Sequence, residues 1–368
     1  MSKFSTKEKG LQAPNNNTAV DTSVLRDIKS NGKIRPWTPK KYRSMLLMNS
    51  LHRLGKPKKA NRVYHCGNEL GFARSLEGKL TLKTAEFCRE RLCPMCAWRK
   101  SLKMFHTVSK IMDVTEARHP DLVPVFLTLT VRNCKEATIC TELDNMFKAW
   151  SVFVHHRSFT DVVHGWYRAL EITHDNETHI SAARYASNPS YYTSLGIKAG
   201  SPNPNYATFH PHFHIILLVH KDYFKKDNKK YIPITKWVHM WRVSLGVDYS
   251  PVCDIRKVNK NKGKHKAVAE VAKYTVKDCE YLTKNNATTD RLVELYSKAL
   301  FHRRLYAFGG ILKKIAKELN AEQPDAGDLI NIDEDKIRED IATILEIYRW
   351  DMGITNYVKY RVEEYYVT

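Results

Sequence analysis

Residues 209–219 constrain the fold more than any other stretch, because three alternating histidines are followed by a continuous apolar run. The β-branched and aromatic composition favours a strand, whose two-residue period places His210, His212 and His214 on one face of a sheet. Same-face neighbours lie roughly 6.5–7 Å apart, so two of the imidazoles can reach one divalent ion. A solvated edge strand is the alternative, but the apolar run indicates a buried strand. We predict a metal site with His212 and His214 as ligands, since His210 lies where the strand begins.

A second predicted strand supplies a candidate third ligand. Residues 165–173 alternate in character, which places Glu171 in the middle of a strand beside the histidines. A carboxylate inside a buried strand is costly unless it is paired or bound to a metal. We therefore predict that Glu171 completes the ligand set, with His174 as the reserve candidate. The alternative role for Glu171 is a salt bridge to an arginine or exposure at the end of the strand.

A cluster of cysteines predicts a second metal site. Two of them form a Cys-x-x-Cys turn, which lets two thiolates chelate one tetrahedral Zn²⁺, and two more lie shortly before it. The predicted ligands are Cys66, Cys88, Cys93 and Cys96. A redox pair, buried unliganded cysteines, or His65 in place of one thiolate are the alternatives. A closed four-cysteine site has no open position for substrate, so this zinc would be structural.

The charge distribution indicates a partner with a phosphate backbone. The 368-residue chain carries 60 Lys and Arg against 39 Asp and Glu, a net charge of +21. Residues 1–310 hold 52 basic and 26 acidic side chains, whereas residues 311–368 hold 8 and 13. We expect DNA to contact the first part. The chain lacks a long apolar run and a secretory signal, so we also expect no membrane partner and a cytoplasmic location.

The remaining pattern mixes strands and helices, which predicts an α+β fold. Besides the two strands above, strands are predicted at 123–131, 247–258 and 304–310, and helices at 98–112, 143–154, 234–245, 267–281, 289–304 and 337–350. Residues 175–207 are rich in Asn, Ser, Pro, Gly and Tyr and are predicted to be a long loop that could fold over the site. Residues 259–266 form a basic loop suited to phosphates, or a solvated charged turn.

One predicted helix carries a row of chemically useful side chains. Within residues 267–281, helical spacing places Glu270, Tyr274 and Lys277 on one face. A phenol becomes a nucleophile for phosphoryl transfer once its proton is removed and the phosphate is polarised by a metal and a cation. Taken alone, this spacing is common on exposed helices, and its significance depends on the histidine strand.

Four ordered motifs give the chain a family resemblance over roughly residues 60–310. They are the cysteine block at 88–99, Phe-Leu-Thr-Leu-Thr at 126–130, His-Pro-His-Phe-His at 210–214, and Glu-Val-Ala-Lys-Tyr-Thr-Val-Lys at 270–277. In order and character they resemble the motifs of plasmid rolling-circle replication initiators of the staphylococcal type, members of the HUH endonuclease superfamily. The resemblance implies a central antiparallel sheet flanked by helices, with the histidines on a central strand.

The resemblance also implies a reaction and partners. Tyr274 would nick one DNA strand at an origin, forming a 5′-phosphotyrosyl link, and would rejoin the strand at termination. Glu270 would activate water at termination, Lys277 would hold a phosphate oxygen, and Mg²⁺ or Mn²⁺ would bind the histidines and Glu171. A host helicase and DNA polymerase are the implied partners. An HUH transposase or relaxase, and a non-catalytic zinc-containing DNA-binding regulator, are the alternatives.

The predicted domain organisation has four parts. Residues 1–57 are expected to be a largely disordered basic arm with one short helix near 42–54, and residues 58–104 a Cys₄ zinc-binding module. Residues 105–310 would form the HUH endonuclease domain. Residues 311–368 would be an acidic helical extension that could mediate self-association.

Overall fold

The computed structural model of the protein describes residues 23–29, 31–225, 227–258, 263–272, 275–321, 328–330, 332 and 344–364. The α-helices in these residues are α1 (Trp37–Arg53), α2 (Pro57–His65), α3 (Pro94–Arg118), α4 (Ile139–Phe153), α5 (Arg157–Thr160), α6 (Ala182–Ser187), α7 (Pro189–Ser194), α8 (Ile234–Leu245), α9 (Gly263–Val271), α10 (Asn286–Ala299) and α11 (Gly310–Glu318). The strands are β1 (Glu69–Arg74), β2 (Leu80–Ala85), β3 (Leu122–Thr130), β4 (Gly165–Asp175), β5 (Thr208–His220), β6 (Cys253–Lys257), β7 (Tyr306–Gly309), β8 (Ile344–Asp351) and β9 (Asn356–Glu364).

The central feature is a five-stranded antiparallel sheet in the order β6-β3-β5-β4-β7. The histidine strand β5 is the middle strand, which explains why the apolar run that follows the histidines is buried on both faces. The predicted α+β class with a central antiparallel sheet is confirmed. The helices predicted at 98–112, 143–154, 234–245 and 289–304 correspond to α3, α4, α8 and α10.

Helices cover both faces of this sheet. On one face, aromatic side chains of α4 and α8 pack against Phe213 of β5, with Trp150 and Trp241 among them. On the other face, residues of α3, α9 and α11 pack against Tyr167 and Ile216. Ile216 lies beyond His212 and His214 on the same face, so these helices bury the sheet next to the histidines. No described helix is long and apolar enough to cross a membrane.

The C-terminal segment is a β-hairpin, so the helix predicted at 337–350 is wrong for the residues described from 344 onward. Strand β8 pairs antiparallel with β1 and with β9, giving a second sheet in the order β2-β1-β8-β9. Residues 345–348 are all buried, so both faces of β8 are covered in its first half, and only its second half alternates between buried and exposed residues. Glu346 is buried there because Arg74 and Lys359 pair with its carboxylate at 2.6 and 3.3 Å. The part of the prediction at 337–343 lies outside the described residues.

The basic N-terminal arm is structured from residue 23 onward, contrary to the prediction of a largely disordered segment. Helix α1 is longer than the predicted helix and buries Trp37, which packs edge-on against Phe72 and Trp98. The segment before it bridges to the C-terminal hairpin, where Val24 pairs with Val358. The buried indole explains the difference, because one large apolar side chain can fix a charged segment to the core. Residues 1–22 lie outside the described part.

Two further predicted segments differ in detail. The loop predicted at 175–207 contains the short helices α6 and α7, where Arg184 pairs with Asp175. The strand predicted at 247–258 is shorter, because only Cys253–Lys257 pairs with β3. Residues 259–262 of the predicted basic loop lie outside the described residues, and α9 begins at Gly263.

Candidate metal sites

Glu171, His212 and His214 converge on one face of the central sheet. Glu171 lies directly opposite His212 in the pairing of β4 with β5. The Nε2 atoms of His212 and His214 are 3.1 Å apart, and Glu171 Oε2 lies 3.4 and 2.9 Å from them respectively. All three side chains are buried. The structure therefore brings together the three ligands predicted from the two strands, in a group that could hold one metal ion.

The Nδ1 atoms of His212 and His214 each face a polar group that orients the ring. His212 Nδ1 is 3.0 Å from the backbone oxygen of His210, which can only accept, so Nδ1 carries the proton. His214 Nδ1 is 3.4 Å from Thr128 Oγ1 on β3. The Nε2 atom of His212 is then left to act as a metal ligand, the arrangement in which a second group fixes the tautomer of a metal-binding histidine. The Thr128 hydroxyl can donate or accept, and it holds the His214 ring with Nε2 facing the group. Sequence analysis missed Thr128, although it lies inside the quoted motif at 126–130.

The charge state of Glu171 also suits a cation. Burial raises the pKa of the Glu171 carboxyl, but hydrogen bonds and charge interactions with His212 and His214 outweigh burial and hold the pKa well below its usual range. A carboxylate and two imidazole nitrogens thus point at one another in a buried space. Such a set of acceptors needs a cation or protons between them, so the residues fit a divalent metal ion.

Two further charged residues reach this group from the segment that follows β6. Glu270 Oε1 is 3.9 Å from His214 Nε2, and Lys277 Nζ is 3.5 Å from Glu171 Oε1. Tyr274 lies outside the described residues, and the two residues that reach the metal-ligand group are four positions before it and three positions after it. Thr275, the next residue, accepts a backbone hydrogen bond of 2.7 Å from the amide of Ile172.

The single helix predicted over 267–281 is wrong in its second half. Helix α9 ends at Val271, and Lys277 precedes a 3-10 turn at Asp278–Glu280. The bond between Thr275 and the edge of β4 explains the difference, because a tertiary contact of this kind overrides helix propensity. Glu270 and Lys277 therefore reach the site from two separate elements rather than from one helix face.

The other two histidines considered at this site have different surroundings. The His210 ring stacks on that of His212 with centroids 5.2 Å apart, and burial, followed by the charge of His212, lowers its pKa to about 4. The His174 ring stacks on Phe209 at 4.6 Å. Neither belongs to the described group of three ligands.

The four predicted cysteines form the second candidate metal site. The Sγ of Cys66 lies 3.5 Å from that of Cys96 and 3.6 Å from that of Cys93, and the Sγ of Cys88 lies 3.7 Å from that of Cys96. Tetrahedral thiolates at the usual Zn–S length of about 2.3 Å are separated by roughly 3.8 Å, whereas a disulfide needs about 2.05 Å. All eight cysteines are free thiols. The arrangement fits a four-thiolate metal site rather than a pair of cross-links.

Polar groups from helix α1 and the cysteine loop surround the thiols. The Ser44 hydroxyl lies 3.4 Å from Cys93 Sγ, and the backbone amide of Arg89 donates to Cys96 Sγ at 3.2 Å. Lys41 is fully buried, and its ammonium donates to the backbone oxygen of Cys66 at 2.9 Å. Burial lowers the Lys41 pKa to about 8, while the nearby cysteines act in the opposite direction. Sequence analysis missed Lys41, because nothing in a basic arm marks one lysine as buried.

Comparison with known proteins places these features in a family. A family model described as "Replication protein" matches residues 79–358. A "Protein rep" from Bacillus amyloliquefaciens is 34% identical over 366 residues, covering 92% of this chain and 98% of its own length. A second "Protein rep", from Lentilactobacillus hilgardii, is 32% identical, with coverages of 92% and 99%. A "Replication protein" from Staphylococcus aureus is 26% identical and covers 66% of this chain and 93% of its own. No solved structure matches the chain.

The fold and the two ligand groups define an α+β protein with two candidate metal centres, one in the central sheet and one in the cysteine loop. The chain belongs to the replication protein family. The resemblance to plasmid replication initiators of the staphylococcal type is thereby confirmed.

Proposed function

We propose that the protein initiates plasmid rolling-circle replication by nicking one DNA strand at the origin, with Tyr274 as the nucleophile. The observation that carries this proposal is the convergence of Glu171, His212 and His214, with Glu270 and Lys277 reaching the same group from either side of Tyr274 in the sequence. Membership of the replication protein family supports the same function. The large positive charge supports DNA as the substrate.

Each ligand group suits a different metal. Glu171, His212 and His214 would hold Mg²⁺ or Mn²⁺, and their two imidazoles suit Mn²⁺ better than Mg²⁺. A divalent ion bound there supplies Lewis-acid polarisation of the scissile phosphate. The four cysteines would hold Zn²⁺, and because all four positions of a tetrahedral site are then filled by protein, that zinc is structural. The arrangement of the five-stranded sheet is compatible with the HUH endonuclease fold.

In the nicking step, the phenolic oxygen of Tyr274 forms a bond to phosphorus while the bond from phosphorus to the 3′ oxygen breaks. The phenol loses its proton to a base, and the departing oxygen gains one to become a free 3′-hydroxyl. The Lys277 ammonium, beside Glu171, offsets the negative charge that builds on the phosphate oxygens. The 5′-phosphotyrosyl bond conserves the energy of the broken linkage, so the reverse reaction rejoins a strand without ATP.

Glu270 has a separate role at termination. Its carboxylate lies 3.9 Å from His214, close enough to the site to take a proton from a water molecule that attacks phosphorus. Hydrolysis of a second cleavage product then releases the enzyme instead of leaving it attached to DNA. Glu270 therefore acts as the general base for water rather than as a metal ligand.

The alternatives differ in substrate or in chemistry. A transposase or relaxase shares the strand and the tyrosine reaction but acts at other DNA sites, and membership of the replication family favours an origin. A non-catalytic zinc-containing regulator would need no metal ligands in the central sheet. Metal-dependent cleavage of a single-stranded origin oligonucleotide separates this alternative from the proposal.

The test is a covalent-adduct assay with Tyr274→Phe. The wild-type protein, incubated with a labelled origin strand and Mn²⁺, should form a denaturation-resistant protein–DNA adduct, and Tyr274→Phe should form none because it lacks the nucleophilic oxygen. Tyr206→Phe, at an exposed tyrosine distant in sequence, is the matched control and should behave as wild type. An adduct that survives in Tyr274→Phe would show that the nucleophile is misassigned.

A further inference from the structure

A polar cavity of about 340 Å³ lies beside the sheet metal site and is not used by the reaction above. We call it the flank pocket, and it is lined by Asn133, Thr173, His174, Asp175, Asn176, Glu177, Arg184, Tyr191, Tyr192, Asn205 and His210. Its volume lies within the range of small-molecule binding sites, roughly 300–1,000 Å³. A single nucleotide unit is the size of ligand that such a space suits.

The flank pocket continues the same line of residues that builds the metal site. Thr173 and His210 are paired across β4 and β5, and the next same-face pair along the two strands is Glu171 and His212. One such step is about 6.5–7 Å. A DNA strand whose phosphate is held at Glu171 and His212 therefore has its adjoining nucleotide within reach of the flank pocket.

The outer wall of the pocket is held in place by buried and part-buried polar contacts. Arg184 donates to both carboxylate oxygens of Asp175, at 2.8 and 2.6 Å, and to the Tyr192 hydroxyl at 2.9 Å. The buried Asn203 side chain donates to Asp175 and to the backbone oxygen of Glu177, at 2.8 and 2.7 Å. These bonds fix the segment at 175–207 against the end of β4, so the wall is formed before any ligand binds.

The chemistry of the lining favours a base over a phosphate. The guanidinium of Arg184 is already paired with the carboxylates of Asp175 and Glu177, so these three groups together carry one net negative charge, which repels a phosphate. Carboxylates and amides, including those of Asn133 and Asn205, are the groups that recognise the edges of bases. Tyr191 lines the pocket and is 46% exposed, so a base can stack on its ring.

We propose that the flank pocket binds one base of the single-stranded DNA substrate, directly next to the scissile phosphate, and determines which base is accepted there. This proposal rests on the nicking function proposed above. Stacking on Tyr191 provides affinity, and the carboxylate and amide groups around it provide discrimination between bases. The segment at 175–207 is thus a specificity element of the site.

The test is abasic scanning of a single-stranded oligonucleotide that spans the nick site in the origin of the replicon encoding the protein. Binding is measured by fluorescence anisotropy in a Tyr274→Phe background, so that no strand is cleaved. Replacing one base at a time with a tetrahydrofuran residue should weaken binding on the order of tenfold at the single position next to the nick. Adding Tyr191→Ala should remove that position-specific penalty, because the base then has no ring to stack on.

Two variants control the test. Tyr191→Phe keeps the ring and should keep the penalty, and Tyr206→Ala, at an exposed tyrosine of the same segment that is not among the described residues lining the pocket, should keep it as well. Three results would overturn the proposal that the flank pocket binds a base. They are a binding penalty that Tyr191→Ala leaves unchanged, a penalty that is lost equally in Tyr206→Ala, and no binding of single-stranded DNA. If the Tyr191-dependent penalty is found but the protein that keeps Tyr274 forms no covalent adduct with the same oligonucleotide, the base-binding pocket is supported and the nicking function is overturned.

Discussion

At the scale of single residues, Glu171 depends most strongly on its surroundings. Its carboxylate is buried beside two imidazoles and within 3.5 Å of Lys277 Nζ, so its negative charge is compensated from several sides. Neutralising it leaves two histidine nitrogens facing each other at 3.1 Å with one fewer anionic ligand for a cation. The affinity of this site for a divalent ion is therefore set largely by Glu171.

Glu171→Gln should weaken Mn²⁺ binding at the sheet site at least about tenfold, because even changes to groups outside the ligand shell cost about 10–100-fold in metal affinity. Calorimetric titration of zinc-loaded protein with Mn²⁺ measures the dissociation constant. Glu294→Gln, at a surface carboxylate paired with Lys298, is the matched control and should bind Mn²⁺ as the wild type does. An unchanged dissociation constant in Glu171→Gln would remove Glu171 from the ligand set.

Glu270→Ala should separate nicking from termination. The nucleophile and the metal ligands remain, so the initial adduct should form at a rate close to that of the wild type. Release of the enzyme should fall by about 10²–10⁴-fold, the usual contribution of a general base. Gel analysis of reaction products over time measures both steps, and normal release of closed monomeric circles would contradict the assigned role.

The positions of the candidate ligands could be predicted where strand periodicity decides which face a side chain lies on. The shared face of His212 and His214 follows from the two-residue period, and Glu171 follows from the cost of burying a carboxylate. Thr128 and Lys41 were missed because their roles depend on a neighbouring strand or on a distant loop. Tyr274 stays a prediction, because it lies outside the described residues.

At the scale of elements, the C-terminal hairpin is attached directly to the cysteine loop. The Tyr357 hydroxyl of β9 hydrogen-bonds to the backbone oxygen of Gly67, the residue after Cys66, and Tyr357 is completely buried. Trp350 of β8 donates its backbone amide to the oxygen of Asn68 at 2.9 Å. The hairpin therefore supports the loop that carries the first thiol.

Tyr357→Phe should lower the free energy of unfolding by about 1–3 kcal/mol, because the buried oxygen of Gly67 loses its donor. Urea denaturation followed by circular dichroism measures the change. Tyr360→Phe, at a half-exposed tyrosine on the same strand, is the matched control and should stay within about 0.5 kcal/mol of the wild type. Equal effects of the two substitutions would contradict a specific link between the hairpin and the cysteine loop.

Helices and strands were predicted poorly where hydrogen bonding to a strand distant in the sequence determines the secondary structure. Residues 344–350 were assigned to a helix, but pairing with β1, which lies some 270 residues earlier in the chain, makes them a strand. Helix α9 ends early because Thr275 bonds to the edge of β4, a contact that local propensity does not contain. Strands β3, β4 and β5 were predicted well because each carries a strong local pattern.

At the scale of the whole molecule, the central sheet carries the group formed by Glu171, His212 and His214, and a second sheet next to the cysteine loop brings together both ends of the described chain. Val24 near the N-terminus and Val358 near the C-terminus meet at the edge of the second sheet. One hydrophobic core includes residues from both sheets, among them Phe72 and Phe213. We therefore expect removal of a metal ion bound at the four cysteines to destabilise the fold around the central sheet as well.

The residue that forms the covalent bond to DNA decides whether Tyr274 is the nucleophile. The most direct measurement is mass spectrometry of the protease-digested adduct made with an origin oligonucleotide and Mn²⁺. We predict a nucleotide joined through its 5′ phosphate to Tyr274, and no adduct when the divalent ion is chelated. A nucleotide on any other residue, or an equal yield without a divalent ion, would contradict it.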